Sequence, residues 1–114
     1  MFPMYTCLTC IFRGIILKMF VIKTFADQNT KTFWETGKSP KWPPASLRKA
    51  ARRKLAMIEA AKLLDDLKSP PGNRLHALED DRDGQHAISI NDQYRICFRW
   101  QNGAAHDVEI TDYH

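Results

Sequence analysis

From Arg74 onward the apolar residues of this chain recur at every second position, and this period of two restricts its fold more than any other feature. Between Tyr94 and Trp100 the alternation is clean, with Ile96, Phe98 and Trp100 on one side and Arg95, Cys97 and Arg99 on the other. Successive side chains of a strand point to opposite faces, so the segment reads as a strand with one buried face. Asn102-Gly103 comes next, the dipeptide best suited to a two-residue hairpin, and Val108 and Ile110 belong to the returning strand. Upstream, Asn91-Asp92 and Asp80-Asp81-Arg82-Asp83-Gly84 read as turns. They delimit a strand from Gln85 to Ile90, with Ile88 and Ile90 on one face, and a short one from Leu75 to Leu78. The second half is therefore a meander of about four strands.

The first half carries helical spacing instead. Met19 to Phe25 reads as an opening strand. Asp27 is placed to cap a short helix through Phe33 and Trp34, and Gly37 to end it. Prolines between Ser39 and Pro44 make a stiff connection. A second helix begins near Pro44-Ala45-Ser46, since proline is favoured in a first turn. Leu47, Ala51, Leu55 and Ile58 form its buried stripe, and Arg48, Lys49, Arg52 and Arg53 face away from it. Ala61 to Lys68 continues as a short helix with Leu63, Leu64 and Leu67 inward, until Ser69-Pro70-Pro71-Gly72 breaks it. The order of elements gives an α+β fold, with the N-terminal strand and helices on one face of a mostly antiparallel sheet of about four to five strands.

A chain of 114 residues holds one small domain. Residues 1–18 stand apart from it. They are mostly apolar, but Arg13 and Lys18 come late in the run, the reverse of a signal peptide. The run is also too short to span a bilayer. These residues read as an N-terminal extension, with Met19 as an alternative start and the domain over 19–114. Cys7 and Cys10 spell C-x-x-C, but without a second pair that is a weak zinc signal. Cys97 reads as a small buried hydrophobe. Nothing here requires an oxidising compartment, so a cytoplasmic protein with no membrane association is expected. The net charge of +4 is unevenly spread. Residues 19–75 hold 12 Lys/Arg against 5 Asp/Glu, and residues 76–114 hold 3 against 8. The basic part suits a polyanion such as nucleic acid, and the acidic part a basic partner.

Asp112, Tyr113 and His114 place three kinds of proton-handling group in a row after the last strand. Histidine titrates near neutrality, and His76 supplies a second imidazole. His86 and His106 alternate with Ile88, Ile90, Val108 and Ile110 and read as packing at the core edge. Arg95 suits either a two-pronged grip on phosphate or, like Arg99, an ion pair with Asp107 or Glu109 across the strands. Two imidazoles and an arginine are what metal-free RNA cleavage requires. One group takes the 2′-hydroxyl proton, one protonates the leaving 5′-oxygen, and a cation holds the phosphate. No H-E-x-x-H, P-loop or paired acidic cage is present in the sequence, so neither a metal nor a nucleotide cofactor is expected.

Four blocks carry a resemblance to a known family: residues 71–78, Pro-Gly-Asn-Arg-Leu-His-Ala-Leu; residues 81–85, Asp-Arg-Asp-Gly-Gln; residues 88–98, from Ile88 through Asn91 and Arg95 to Phe98; and residues 107–114, ending in Asp-Tyr-His. Together they resemble the HigB toxins of the RelE/ParE superfamily, the toxin halves of bacterial toxin–antitoxin pairs, from about Met19 to the C-terminus. The resemblance implies a RelE-like fold and a ribosome-dependent mRNA endoribonuclease, an mRNA interferase cutting in the ribosomal A site. It places the active-site histidine on His76, the phosphate-binding arginine on Arg95, and the terminal catalytic trio on Asp112, Tyr113 and His114. A HigA-like helix-turn-helix antitoxin is the implied partner. On this reading Arg48, Lys49, Arg52 and Arg53 dock on ribosomal RNA. Many relatives carry a lysine three residues after the histidine, where this chain has Glu79. A ParE-like, non-enzymatic inhibitor of DNA gyrase and a plain RNA-binding module are the alternatives. His76 together with Tyr113-His114 argues against the gyrase inhibitor, because a binder has no need of that proton chemistry.

Overall fold

The meander expected from the alternation is present as four strands, β1 (His76–Ala77), β2 (His86–Ser89), β3 (Tyr94–Gln101) and β4 (Ala104–Asp112). They form one antiparallel sheet in the order β1-β2-β3-β4. The structure, a computed structural model, describes residues 20–38 and 42–112. The 1–18 extension and part of the proline-rich connection lie outside that range. Asn102 (φ 53) and Gly103 (φ 75) both take the left-handed conformation that a tight β3–β4 turn needs.

Two helices cover one face of the sheet. α1 (Gln28–Thr36) starts where the Asp27 carboxylate accepts the Thr30 amide at 3.0 Å, and ends at left-handed Gly37, as the sequence indicated. α2 (Arg48–Ala60) follows one 3-10 turn over Ala45–Leu47. Its stripe of Leu47, Ala51, Leu55 and Ile58 is buried against Ile88, Ile96, Phe98, Val108 and Ile110 of the sheet. The opposite sheet face carries the small buried apolar cluster of Leu78, Ala87 and Cys97.

Three expectations are corrected. Residues 20–26 do not form a continuous strand. They run parallel to β4 and touch it through isolated bridges, Ile22 to Ala105 and Phe25 to Val108. β4 bulges between those contacts, where Asp107 takes φ 53, so an unbroken ladder cannot form alongside it. Glu59 of α2 instead accepts the Val21 and Ile22 amides, each at 3.1 Å. Secondly, α2 stops at Ala60, and only Leu64–Lys68 continues, as a 3-10 helix. Leu67 is buried there, but Leu63 precedes the turn in extended conformation and is 66% exposed. Thirdly, His106 lies opposite Arg99, on the face away from the helices, because the Asp107 bulge reverses the alternation. His86 behaves as expected, half-buried with its ring stacked 6.4 Å from that of Phe98.

Asp66 holds the 3-10 helix in place by accepting the Lys62 and Leu63 amides at 2.9 and 3.1 Å. The Leu63 amide, then that of Lys62, holds its carboxyl below the ordinary value of 3.8. Its contribution to stability is therefore present above that value and lost as pH falls through the lower, folded-state value. Replacing Leu55 with alanine is expected to lower the unfolding free energy in urea titrations by about 2–5 kcal/mol, through the cavity it leaves. Leu63→Ala is expected to change it by no more than about 0.5 kcal/mol, because that side chain is already in solvent.

Candidate active site

The chain reaches His76 through a 3-10 turn over Pro71–Asn73 and a left-handed Arg74 (φ 50, ψ 46). The His76 side chain is exposed, and its Nδ1 lies 2.7 Å from the Arg74 carbonyl oxygen. A carbonyl oxygen only accepts, so Nδ1 carries the hydrogen and Nε2 of the neutral ring keeps its lone pair for proton transfer.

The sheet register decides what shares a face with His76. His76 pairs with Ala87, Ala87 with Cys97, and Cys97 with Glu109, so this row lies on the face away from the helices. The next row is Ser89, Arg95 and Thr111, on the same face. His76 and Arg95 therefore stand on one surface, two strand spacings (about 10 Å) apart and two residues (about 7 Å) offset along the strands.

A cleft of about 350 Å³ opens beside Arg95, lined by Leu78, Glu79, Asp80, Asp81, Arg82 and Arg95. Its walls thus set three carboxylates against two guanidinium groups. Arg82 is a residue that sequence reasoning missed, because it sits in a segment read only as a turn. Its Nη1 donates to Glu109 Oε1 at 2.6 Å and to Gln85 Oε1 at 3.1 Å. The hydrogen bond to Glu109 raises the Arg82 pKa further, against the opposing effect of burial. Of the cross-strand ion pairs open to Arg99 in the sequence, the one with Asp107 forms. Arg82 holds Glu109, and Arg99 holds Asp107 at 3.4 Å.

The remaining candidates are not all brought together. Asp112 pairs with Tyr94, whose neighbours in the alternation face the helices, so the register places it on the opposite side from His76 and Arg95. It is exposed at the strand end, and Gln93 Nε2 donates to its Oδ2 at 3.1 Å. Tyr113 and His114 lie outside the described residues. Lys49, Arg52 and Arg53 are exposed on α2 and Arg48 is half-buried beside them, forming a basic face away from the buried stripe. A larger groove of about 1040 Å³ lies between residues 20–28, α1 and α2, remote from His76. Among the described residues, no group of three or more His, Cys, Asp or Glu is gathered to hold a metal, and no helix is long and apolar enough to cross a membrane.

Residues 23–114 match the family model of the RelE-like toxin of type II toxin-antitoxin system HigB. The chain belongs to the HigB-like toxin family. Toxin HigB-1 of Vibrio cholerae serotype O1 is 40% identical over 81 residues, covering 71% of this chain and 85% of the relative. Endoribonuclease HigB of Proteus vulgaris is 30% identical over 94 residues, covering 82% of this chain and the whole of the relative. An uncharacterized protein of Haemophilus influenzae is 34% identical over 86 residues, covering 75% and 85%. The α+β arrangement of two helices on a four-stranded antiparallel sheet is the RelE-like fold that the HigB-like family implies. Membership of a type II toxin–antitoxin family also implies an antitoxin partner.

The Arg82–Glu109 pair is short and two-thirds or more buried on both sides, unlike the exposed, 4.0 Å pair of Arg74 with Asp92. Arg82→Ala is expected to lower stability in urea titrations by about 1 kcal/mol. Arg74→Ala is expected to leave the same measurement unchanged.

Proposed function

We propose that this HigB-like toxin is a ribosome-dependent mRNA endoribonuclease that cleaves by acid–base chemistry at His76, Arg95, Asp112, Tyr113 and His114. The observation that carries the reading is the geometry of His76. Its Nδ1–H is tied to the Arg74 carbonyl, and its Nε2 is left available on the same sheet face as Arg95. The name of the Proteus vulgaris relative, Endoribonuclease HigB, supports the same activity.

In this reaction the 2′-oxygen of the ribose attacks the adjacent phosphorus while the bond to the 5′-oxygen breaks, leaving a cyclic phosphate and a 5′-hydroxyl. His76 and His114 share the two proton transfers, one accepting the 2′-hydroxyl proton and the other protonating the leaving oxygen. The Arg95 guanidinium holds the phosphate as charge builds on it. Tyr113 positions the reacting groups, and Asp112, which the register turns to the other face, contributes through the chain end that it leads into. The basic face of Arg48, Lys49, Arg52 and Arg53 docks on ribosomal RNA through phosphate contacts. A HigA-like antitoxin restrains the toxin, and its place of action is the cytoplasm, where the ribosomes are. Glu79 departs from the basic residue of many relatives and stands in the cleft beside Arg95. A carboxylate there repels the substrate phosphate and weakens the grip.

Single-turnover cleavage of mRNA on programmed ribosomes tests the proposal. His76→Ala is expected to slow cleavage by roughly 10²–10⁴-fold, the usual worth of a general acid or base. Arg95→Ala is expected to cost about 10²–10³-fold, as for other groups that hold charge in a transition state. Removing His114 is also expected to impair cleavage. Wild-type rates from all three variants would refute the site. In the same assay Glu79→Lys is expected to tighten binding, and alanines at the four α2 positions to weaken it and flatten its dependence on salt.

A further inference from the structure

Lys54 lies inside the apolar stripe of α2, is only 5% exposed, and has no part in the reaction proposed above. A buried ammonium requires an acceptor, and it donates to Asn73 Oδ1. Asn73 is itself fully buried. Its Nδ2 donates to the carbonyls of Leu67 at 3.1 Å and Ser69 at 3.4 Å, and its backbone N–H donates to the Pro70 carbonyl at 2.9 Å. The amide oxygen is thus committed to α2 and the amide protons mainly to the loop, with a longer contact from Nδ2 to Met57 Sδ of α2 at 3.8 Å. This arrangement pins the chain immediately before Arg74. The Arg74 N–H donates to Pro71 at 3.1 Å, its backbone is left-handed, and its carbonyl accepts Nδ1 of His76.

We propose that Lys54 is a positioning residue for His76. Through Asn73 it sets the direction of the Arg74 carbonyl, which holds the imidazole as its Nδ1–H tautomer and presents Nε2. β1 is two residues long and exposed, so little else orients the ring. The same helix carries Arg48, Lys49, Arg52 and Arg53, so the loop before His76 is anchored to the element that bears the basic face. The consequence for cleavage rests on the catalytic reading of His76, whereas the tautomer itself does not.

The test is the ¹⁵N–¹H correlation spectrum of the His76 ring in the full chain, recorded beside single-turnover cleavage. The wild-type ring is expected as the Nδ1–H tautomer. Lys54→Met is expected to move it toward the Nε2–H form that free imidazole side chains prefer, and to slow cleavage by roughly tenfold to a hundredfold with ribosome binding unchanged. Lys54→Gln retains an N–H donor, one bond shorter in reach, and is expected to restore part of both. A wild-type ring found as Nε2–H overturns the proposal, and this reading requires no variant to fold. An unchanged tautomer in folded Lys54→Met also overturns it, even if the rate falls, because Lys54 then acts only on stability. A shifted tautomer in Lys54→Met alongside full activity in His76→Ala supports the positioning and removes the catalytic role of His76.

Discussion

The register of β3 between β2 and β4 is the constraint on which the site depends. Ile96 and Phe98 are buried with Ile88, Val108 and Ile110 against α2, and the pleat consequently turns Arg95 to the other face. A slip of one residue would drive Arg95 into the core and Ile96 into solvent, with the large penalty of an unpaired buried charge. Burial on the helix side thus fixes which face Arg95 takes, and β2 carries the same parity outward to His76. The bulge at Asp107 is the one local exception. It brings His106 out beside Arg99 and leaves residues 20–26 attached to β4 only at separate points.

β1 cannot hold His76 by its own ladder. Two strand residues give little orientation, and both are exposed. The loop before it is held by its own contacts instead, running through Pro70, Pro71 and Gly72 to the buried Asn73 and the left-handed Arg74. Lys54 ties that loop to α2, with burial and then the neighbouring Arg53 lowering its pKa from the ordinary lysine value. An amphipathic helix has thus given up one position of its apolar face to anchor a loop. On the far side of the site, Arg82 and Glu109 bind the acidic turn to β4. Arg95 consequently stands in a cleft of mixed charge, with Glu79 among its walls.

Much of the fold was legible in the sequence because it depends on near neighbours. The Asp27 cap, the Gly37 stop, the α2 stripe and the Asn102-Gly103 turn each need only a few adjacent residues to be recognised. The misreadings have non-local causes. Leu63 looked like part of a helical stripe, but the chain turns away at Ala61 before reaching it. His106 was assigned by parity across a bulge that no periodicity reveals. Lys54 sits three residues after Ala51 and four before Ile58, squarely within the stripe, yet a charged residue at such a position reads as surface until its acceptor is found.

The sequence by itself determined the period-two meander, the capped helices, the split of basic and acidic halves, and the motif blocks that mark a HigB-like toxin. These are written in local spacing and residue type, and they hold whatever the rest of the chain does. Only the tertiary structure decided that Arg82 takes Glu109, that Asp112 falls on the opposite side from His76, and that Asn73 links the histidine loop to Lys54. Each of these turns on strand register, a bulge, or a contact between residues distant in sequence. Charge pairing is indifferent to sequence order: a carboxylate bonds to whichever cation the folded backbone brings within reach.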